Sequence, residues 1–187
     1  MSTSKGLSSI TVAYLYRFHE ILEDMIAGMT GAELTDSISH NFIVQMIPHH
    51  MAAIEMCRSL LQYTTCLPLQ NIAANIITAQ TKSIADMRAA LPKCASLTNT
   101  RQDLCRYQAA FQEITAQMFS RMRGAGVSNN INTTFMHQMI PHHQGAIRMS
   151  ENALRFPICP ELVPILDAII TSQRRGVRQM EQLLRCI

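Results

Sequence analysis

A chain of 187 residues with 48% hydrophobic content is long enough to bury a core of its own. Its net charge of +3 is mild and its basic residues are scattered, so no phosphate-tracking surface is implied and nucleic acid is not an expected partner. No apolar run reaches the roughly 18 residues that span a bilayer, and Met1 to Ser9 lacks the apolar stretch expected of a secretory signal. In chain order, a first helix is predicted from about Ser9 to Met29, stopped at Gly31. A second begins near Ser39 or Asn41 and runs to Leu61, with Phe42, Met46, His49, Ala53, Met56 and Leu60 spaced by three and four along one stripe. A third follows from Pro68 to Leu91, with Ile72, Ile76, Ile84, Met87 and Leu91 as its stripe. Ser96 to Thr100 reads as a polar connection, after which helices are predicted from Gln102 to Arg123, ending at Gly124, then from Asn132 to Phe156 and from Pro160 to Leu184.

The second set of helices repeats the first. An offset of 93 residues lays Phe42 through Met56 over Phe135 through Met149, and Gln-Met-Ile-Pro-His-His recurs intact at Gln45 and at Gln138. Phe18, Glu20, Met25 and Met29 match Phe111, Glu113, Met118 and Met122, while Cys66, Ile76, Gln80 and Met87 match Cys159, Ile169, Gln173 and Met180. The chain therefore divides into units 1–96 and 97–187, expected to pack as one domain. Few segments alternate polar and apolar residues, so the fold class is all-α. Short connections favour an antiparallel four-helix bundle of two hairpins, with the N-terminal helix of each unit outside it.

Within each unit a thioether and adjacent imidazoles share a helical face: Met46 lies one turn before His49 and His50, and Met139 one turn before His142 and His143. Pro48 and Pro141 cannot donate to the carbonyls of Val44 and His137, and read either as kinks or as first-turn features. A lone histidine on an apolar stripe is ordinarily a hydrogen-bonded core residue. Here Met, Pro and both His persist at one spacing while most other positions diverge, and packing alone would accept Leu or Phe in their place. That pattern favours a metal centre. Di-iron bundles use Glu-x-x-His, whereas this chain has Met-x-x-His, which moves the preference toward a copper ion, with zinc through histidine, or no metal, as alternatives. Met56 and Met149 extend the thioether set, in keeping with 13 methionines and no tryptophan. Glu20 and Glu113 are the matched acidic residues to weigh as supports for a histidine, with a solvated helix face as the favoured reading. Because histidine must be neutral to ligate, affinity is expected to weaken below about pH 6.5.

The pattern Phe-x-x-x-Met-Ile-Pro-His-His-x-x-Ala-Ile-x-Met, at Phe42 and again at Phe135, resembles the family called domain of unknown function 305. The resemblance covers Asn41 to Leu91 and Thr134 to Leu184. It implies a ferritin-like bundle of two helical hairpins, and some family members are associated with copper binding and tolerance. The family's third helix usually reads Gln-x-x-Glu-Ile-x-x-Met. Gln80 and Met87, and Gln173 and Met180, match that pattern, but Ser83 and Gly176 stand where glutamate is expected. Met87 and Met180 are left as further thioether candidates, with ordinary core packing as the other reading.

Six cysteines read either as reduced thiols or as disulfides of an oxidising setting, such as an exported protein or a virion. Cys66 and Cys94 bracket one helix, and Cys159 and Cys186 its counterpart. At about 1.5 Å per residue each pair is roughly 40 Å apart and cannot bond internally. Alternating helix directions favour Cys66–Cys186 with Cys94–Cys159, and Cys94–Cys105 is the local competitor. No phosphate-cradling loop or hydrolytic set is present, so the expectation is metal binding, storage or sequestration rather than enzymatic turnover. The alternative is a structural or interaction protein with vestigial metal sites; protein partners or a homo-oligomer stay open.

Overall fold

The computed structural model describes residues 6–186, and within them every regular element is a helix: α1 (Ser9–Thr30), α2 (Ile38–Leu61), α3 (Leu67–Cys94), α4 (Arg101–Arg123), α5 (Ile131–Ala153) and α6 (Val163–Leu184). Four starts are set by side chains that accept an orphan backbone N–H. Ser8 accepts from Thr11, Ser37 from His40, Thr100 from Asp103, and Asn130 from Asn132 and Thr133. Pro68 and Pro164 stand in the first turns of α3 and α6, where the missing N–H costs nothing. The segment Pro160 to Leu162 is a turn, so α6 begins later than expected. α5 ends at Ala153, because Pro157 disfavours helical backbone at Phe156.

α2 pairs with α3 and α5 with α6 as hairpins; the hairpins meet through α2 against α5 and α3 against α6, while α1 covers α2 and α4 covers α5. This is the arrangement expected of a four-helix bundle with one outer helix per unit. The core follows the predicted stripes: Phe42, Met46, Ala53, Met56 and Leu60 of α2 are buried, as are Ile72, Ile76, Ile84 and Met87 of α3. Tyr14 packs edge-on against Tyr63, and the matched Tyr107 against Phe156, at centroid distances of 5.9 and 6.0 Å. No helix among the described residues is long and apolar enough to cross a membrane.

Both ends of the bundle are tied by asparagine. Asn99 receives the Ile38 N–H, donates its own backbone N–H to Asp36 and gives its amide to the carbonyl of Pro157. At the other end Asn129 accepts from Ser8 N–H and donates to the carbonyl of Gly6. A Cys94–Cys159 disulfide joins the end of α3 to the residues before α6, as expected. Its companion is a correction: Cys66 and Cys186 are free thiols, as are Cys57 and Cys105. The 93-residue offset maps Cys94 onto position 187, an isoleucine, so Cys186 lies one residue out of the register a second bond would need. Its Sγ is exposed and turned back toward the Gln182 carbonyl.

Candidate metal centre

The motif helices α2 and α5 cross at their histidines. The rings of His49 and His142 stack at 3.7 Å between centroids with an interplanar angle of 24°, and His50 and His143 flank them, each ring 5.8 Å from its neighbour in sequence. α2 and α5 run unbroken through Pro48 and Pro141, well past the first turn, so the first-turn reading of these prolines does not hold. Pro48 packs so close to α1 that a Cβ on Gly28 would stand 2.8 Å from it.

All four imidazoles are buried, and their hydrogen bonds are incomplete. His142 Nε2 lies 3.1 Å from the carbonyl of His49 and His50 Nε2 lies 3.2 Å from Ser83 Oγ. Both nitrogens of His49, and Nδ1 of His50, His142 and His143, have no partner. Buried polar atoms are rarely left so, and a cluster of them on one helix crossing needs a physical account. Burial is the main cause that lowers every one of these pKa values: His50 to about 3 and His142 to about 4, with His49 and His143 also well below the ordinary 6.5. Neighbouring imidazoles lower His49, His50 and His143 further, while the bond to the His49 carbonyl partly offsets the shift of His142. Burial therefore holds the metal-free centre neutral below pH 6.5.

Met46, Met139, Met56, Met149, Met87 and Met180 are all buried. Helical spacing puts Met46 and Met139 one turn before the histidines and Met87 and Met180 one turn beyond Ser83 and Gly176. Among the described residues no three His, Cys, Asp or Glu side chains are placed to hold one ion. The donors the chain offers are imidazole and thioether, a set that fits a soft ion and leaves a zinc site of the usual nitrogen, oxygen and thiolate donors unformed. Glu20 is exposed and paired with Arg17, and Glu113 is exposed beside Gln117, so neither supports a histidine. Sequence reasoning matched Gln80 and Gln173 between the units but gave them no role; they are buried between α3 and α6 with unpartnered amide atoms beside the motif. The available signal was their recurrence at the same offset on the core stripe.

An all-helical bundle with a duplicated Met-x-x-His-His crossing at its centre is a recognisable class. The family described as Domain of unknown function (DUF305) matches residues 23–91 and 39–184, and the chain belongs to it. Among solved structures it is similar to CopM in an Ag-bound form, with 28% identity and a TM-score of 0.59 over 82% of this chain and 97% of that one. CopM in a Cu(I)-bound form gives 29% identity and a TM-score of 0.58 over 82% and 97%. A DUF305 fragment from Deinococcus radiodurans, 21% identical with a TM-score of 0.57 over 80% and 97%, shares the fold. No curated protein sequence matches the chain.

Proposed function

We propose that this protein binds a soft metal ion, copper in preference to zinc, for storage or sequestration. His49, His50, His142 and His143 are the imidazole ligands, and Met46, Met139, Met56, Met149, Met87 and Met180 the pool from which thioethers are drawn. The observation that carries this reading is a crossing of four buried imidazoles, each with at least one nitrogen that no protein group satisfies. The likeness to CopM in its Cu(I), Cu(II) and Ag forms supports it. Both units supply ligands, so 1–96 and 97–187 act together as one functional domain. The Cys94–Cys159 bond favours an oxidising setting.

The second reading, a structural bundle with vestigial sites, rests on the stacked contact of His49 and His142, which already pack on each other. One experiment separates them. Metal analysis after equilibration with Cu(I) without oxygen, or Cu(II) with it, is expected to give stoichiometric copper in the parent. The variant with all four motif histidines changed to alanine should bind none while keeping its far-ultraviolet helical signal. Equal binding by a folded variant, or none by the parent under either condition, decides for the structural reading.

A further inference from the structure

The two faces of the centre differ at one pair of equivalent positions. On the first-unit side Ser83 covers His50, its Oγ 3.2 Å from Nε2, and the pocket there holds about 150 Å³. On the second-unit side position 176 is glycine, and a Cβ built there would stand 2.7 Å from Cδ2 and 2.8 Å from Nε2 of His143. The His143 ring therefore occupies space that any side chain at 176 would take. It forms part of the floor of an open cleft of about 620 Å³ between α3 and α6.

We propose that this cleft is the port through which a soft metal ion reaches the centre, and that His143, uncovered by Gly176, is the first residue to bind it; the inference rests on the metal-binding reading above. The size of the cleft fits that task, since one water occupies about 30 Å³. The cleft admits an ion with several ligands still attached. Gln80 and Gln173 line it with unpartnered amide atoms, each residue only 2% exposed, and so provide polar partners for ligands being shed. The step is a ligand exchange: a bond from His143 Nε2 to the ion forms as a bond to a carried-in ligand breaks. The imidazole proton stays on Nδ1 and no electron is transferred. A third hollow, of about 370 Å³ between α2 and α3, is lined by Met51, Ile54, Glu55 and Arg58 among others, contains no histidine, and serves as the control route.

Two measurements on the full chain test this. In the metal-free parent, carbethoxylation by diethylpyrocarbonate at neutral pH, mapped by peptide mass, is expected to modify His143 about tenfold faster than His49, His50 or His142, a difference of about 1.4 kcal/mol in barrier. Ala168→Trp, which from α6 fills the cleft and also narrows the hollow beside His50, should remove that advantage, and Ala85→Trp in the control hollow should not. Equal modification of all four histidines in the parent overturns the port whether or not copper binds. In the second measurement, Cu(I) passes from its bicinchoninate complex to the protein in a stopped-flow cell. Ala168→Trp is expected to slow transfer about tenfold at unchanged final stoichiometry, with Ala85→Trp matching the parent. Equal slowing by both variants, or by neither, overturns the port. A parent that takes up no copper sinks the proposed function instead, and the labelling result still decides access. Should Ala168→Trp fail to fold, Gly176→Ala replaces it: its Cβ displaces the His143 ring and should lower labelling of His143 alone. Unchanged His143 labelling in that variant counts against the port.

Discussion

In the first unit Tyr14 donates its hydroxyl to Gln138 Oε1 at 2.9 Å, across the interface to the second unit; the equivalent Tyr107 hydroxyl has no partner, and the equivalent Gln45 turns its amide to the carbonyl of Met29. The same inequality runs through the motif. His142 Nε2 reaches the His49 carbonyl while both His49 nitrogens stay unpaired, and His50 has Ser83 where His143 has Gly176. The duplicated sequence thus places equivalent side chains at equivalent places, but one neighbouring residue, or one amide rotation, decides which is satisfied. Unsatisfied imidazole nitrogens therefore occur in both units, at His49 and His50 in the first and at His142 and His143 in the second.

Acid is expected to have the largest effect on this comparison, because it acts on both halves at once. His50 and His142 are held at about 3 and about 4 in the fold, with His49 and His143 also lowered, mainly by burial. The unfolded chain takes up protons below about pH 6.5 while the folded centre does not, so stability is full above that pH and is lost as pH falls toward the folded values. Each proton that the fold excludes contributes a slope of about 1.4 kcal/mol per pH unit. Urea unfolding of the metal-free protein should show its midpoint falling steeply from pH 7 to pH 4.5. A flat profile would mean that the imidazoles are not held neutral.

The disulfide separates the halves next. Cys94–Cys159 closes 65 residues of sequence, and loop-closure entropy for that span is worth about 4 kcal/mol. Changing both cysteines to alanine should lower the unfolding free energy by that order, whereas Cys186→Ser should leave it within about 0.5 kcal/mol. If reduction of the parent leaves its denaturation curve unmoved, the staple contributes nothing to the joining of the units.

The tyrosine pair gives the smallest and sharpest contrast. Tyr14→Phe removes a buried hydrogen bond and strands Gln138, at a cost of about 1–2 kcal/mol. Tyr107→Phe removes a hydroxyl that already lacks a partner, so it should be neutral or slightly stabilising. Equal losses in the two variants, measured by chemical denaturation, would show that both hydroxyls are bonded in solution.

Much of this was legible in the chain itself. Spacing of three and four along Phe42 to Leu60 and Ile72 to Leu91 settled helix type and buried face, because a helix brings only those positions to one side. The offset of 93 residues revealed the repeat and singled out His49, His50, His142 and His143 together, since identities that survive divergence at one spacing share one task. Helix length and direction put Cys94, Cys105 and Cys159 at one end, symmetry favoured Cys94–Cys159 over its competitor Cys94–Cys105, and the structure has that bond. Glu20 and Glu113 lie on the solvent face of their helices, as the favoured reading had it, whereas symmetry misled at Cys186, one residue out of register.

What the sequence by itself determined is therefore the periodic part: six helices, their apolar stripes, the duplicated motif and the residue types at its centre, all set by local geometry and composition. Only the tertiary structure decided that His49 and His142 stack, that Gln80 and Gln173 lie between α3 and α6, and that His50 pairs with Ser83 while the buried His143 ring packs against Gly176. The physical reason is that these outcomes depend on contacts between helices far apart in the chain. There a difference as small as serine against glycine changes which buried nitrogen finds a partner, and no spacing along a single helix records it.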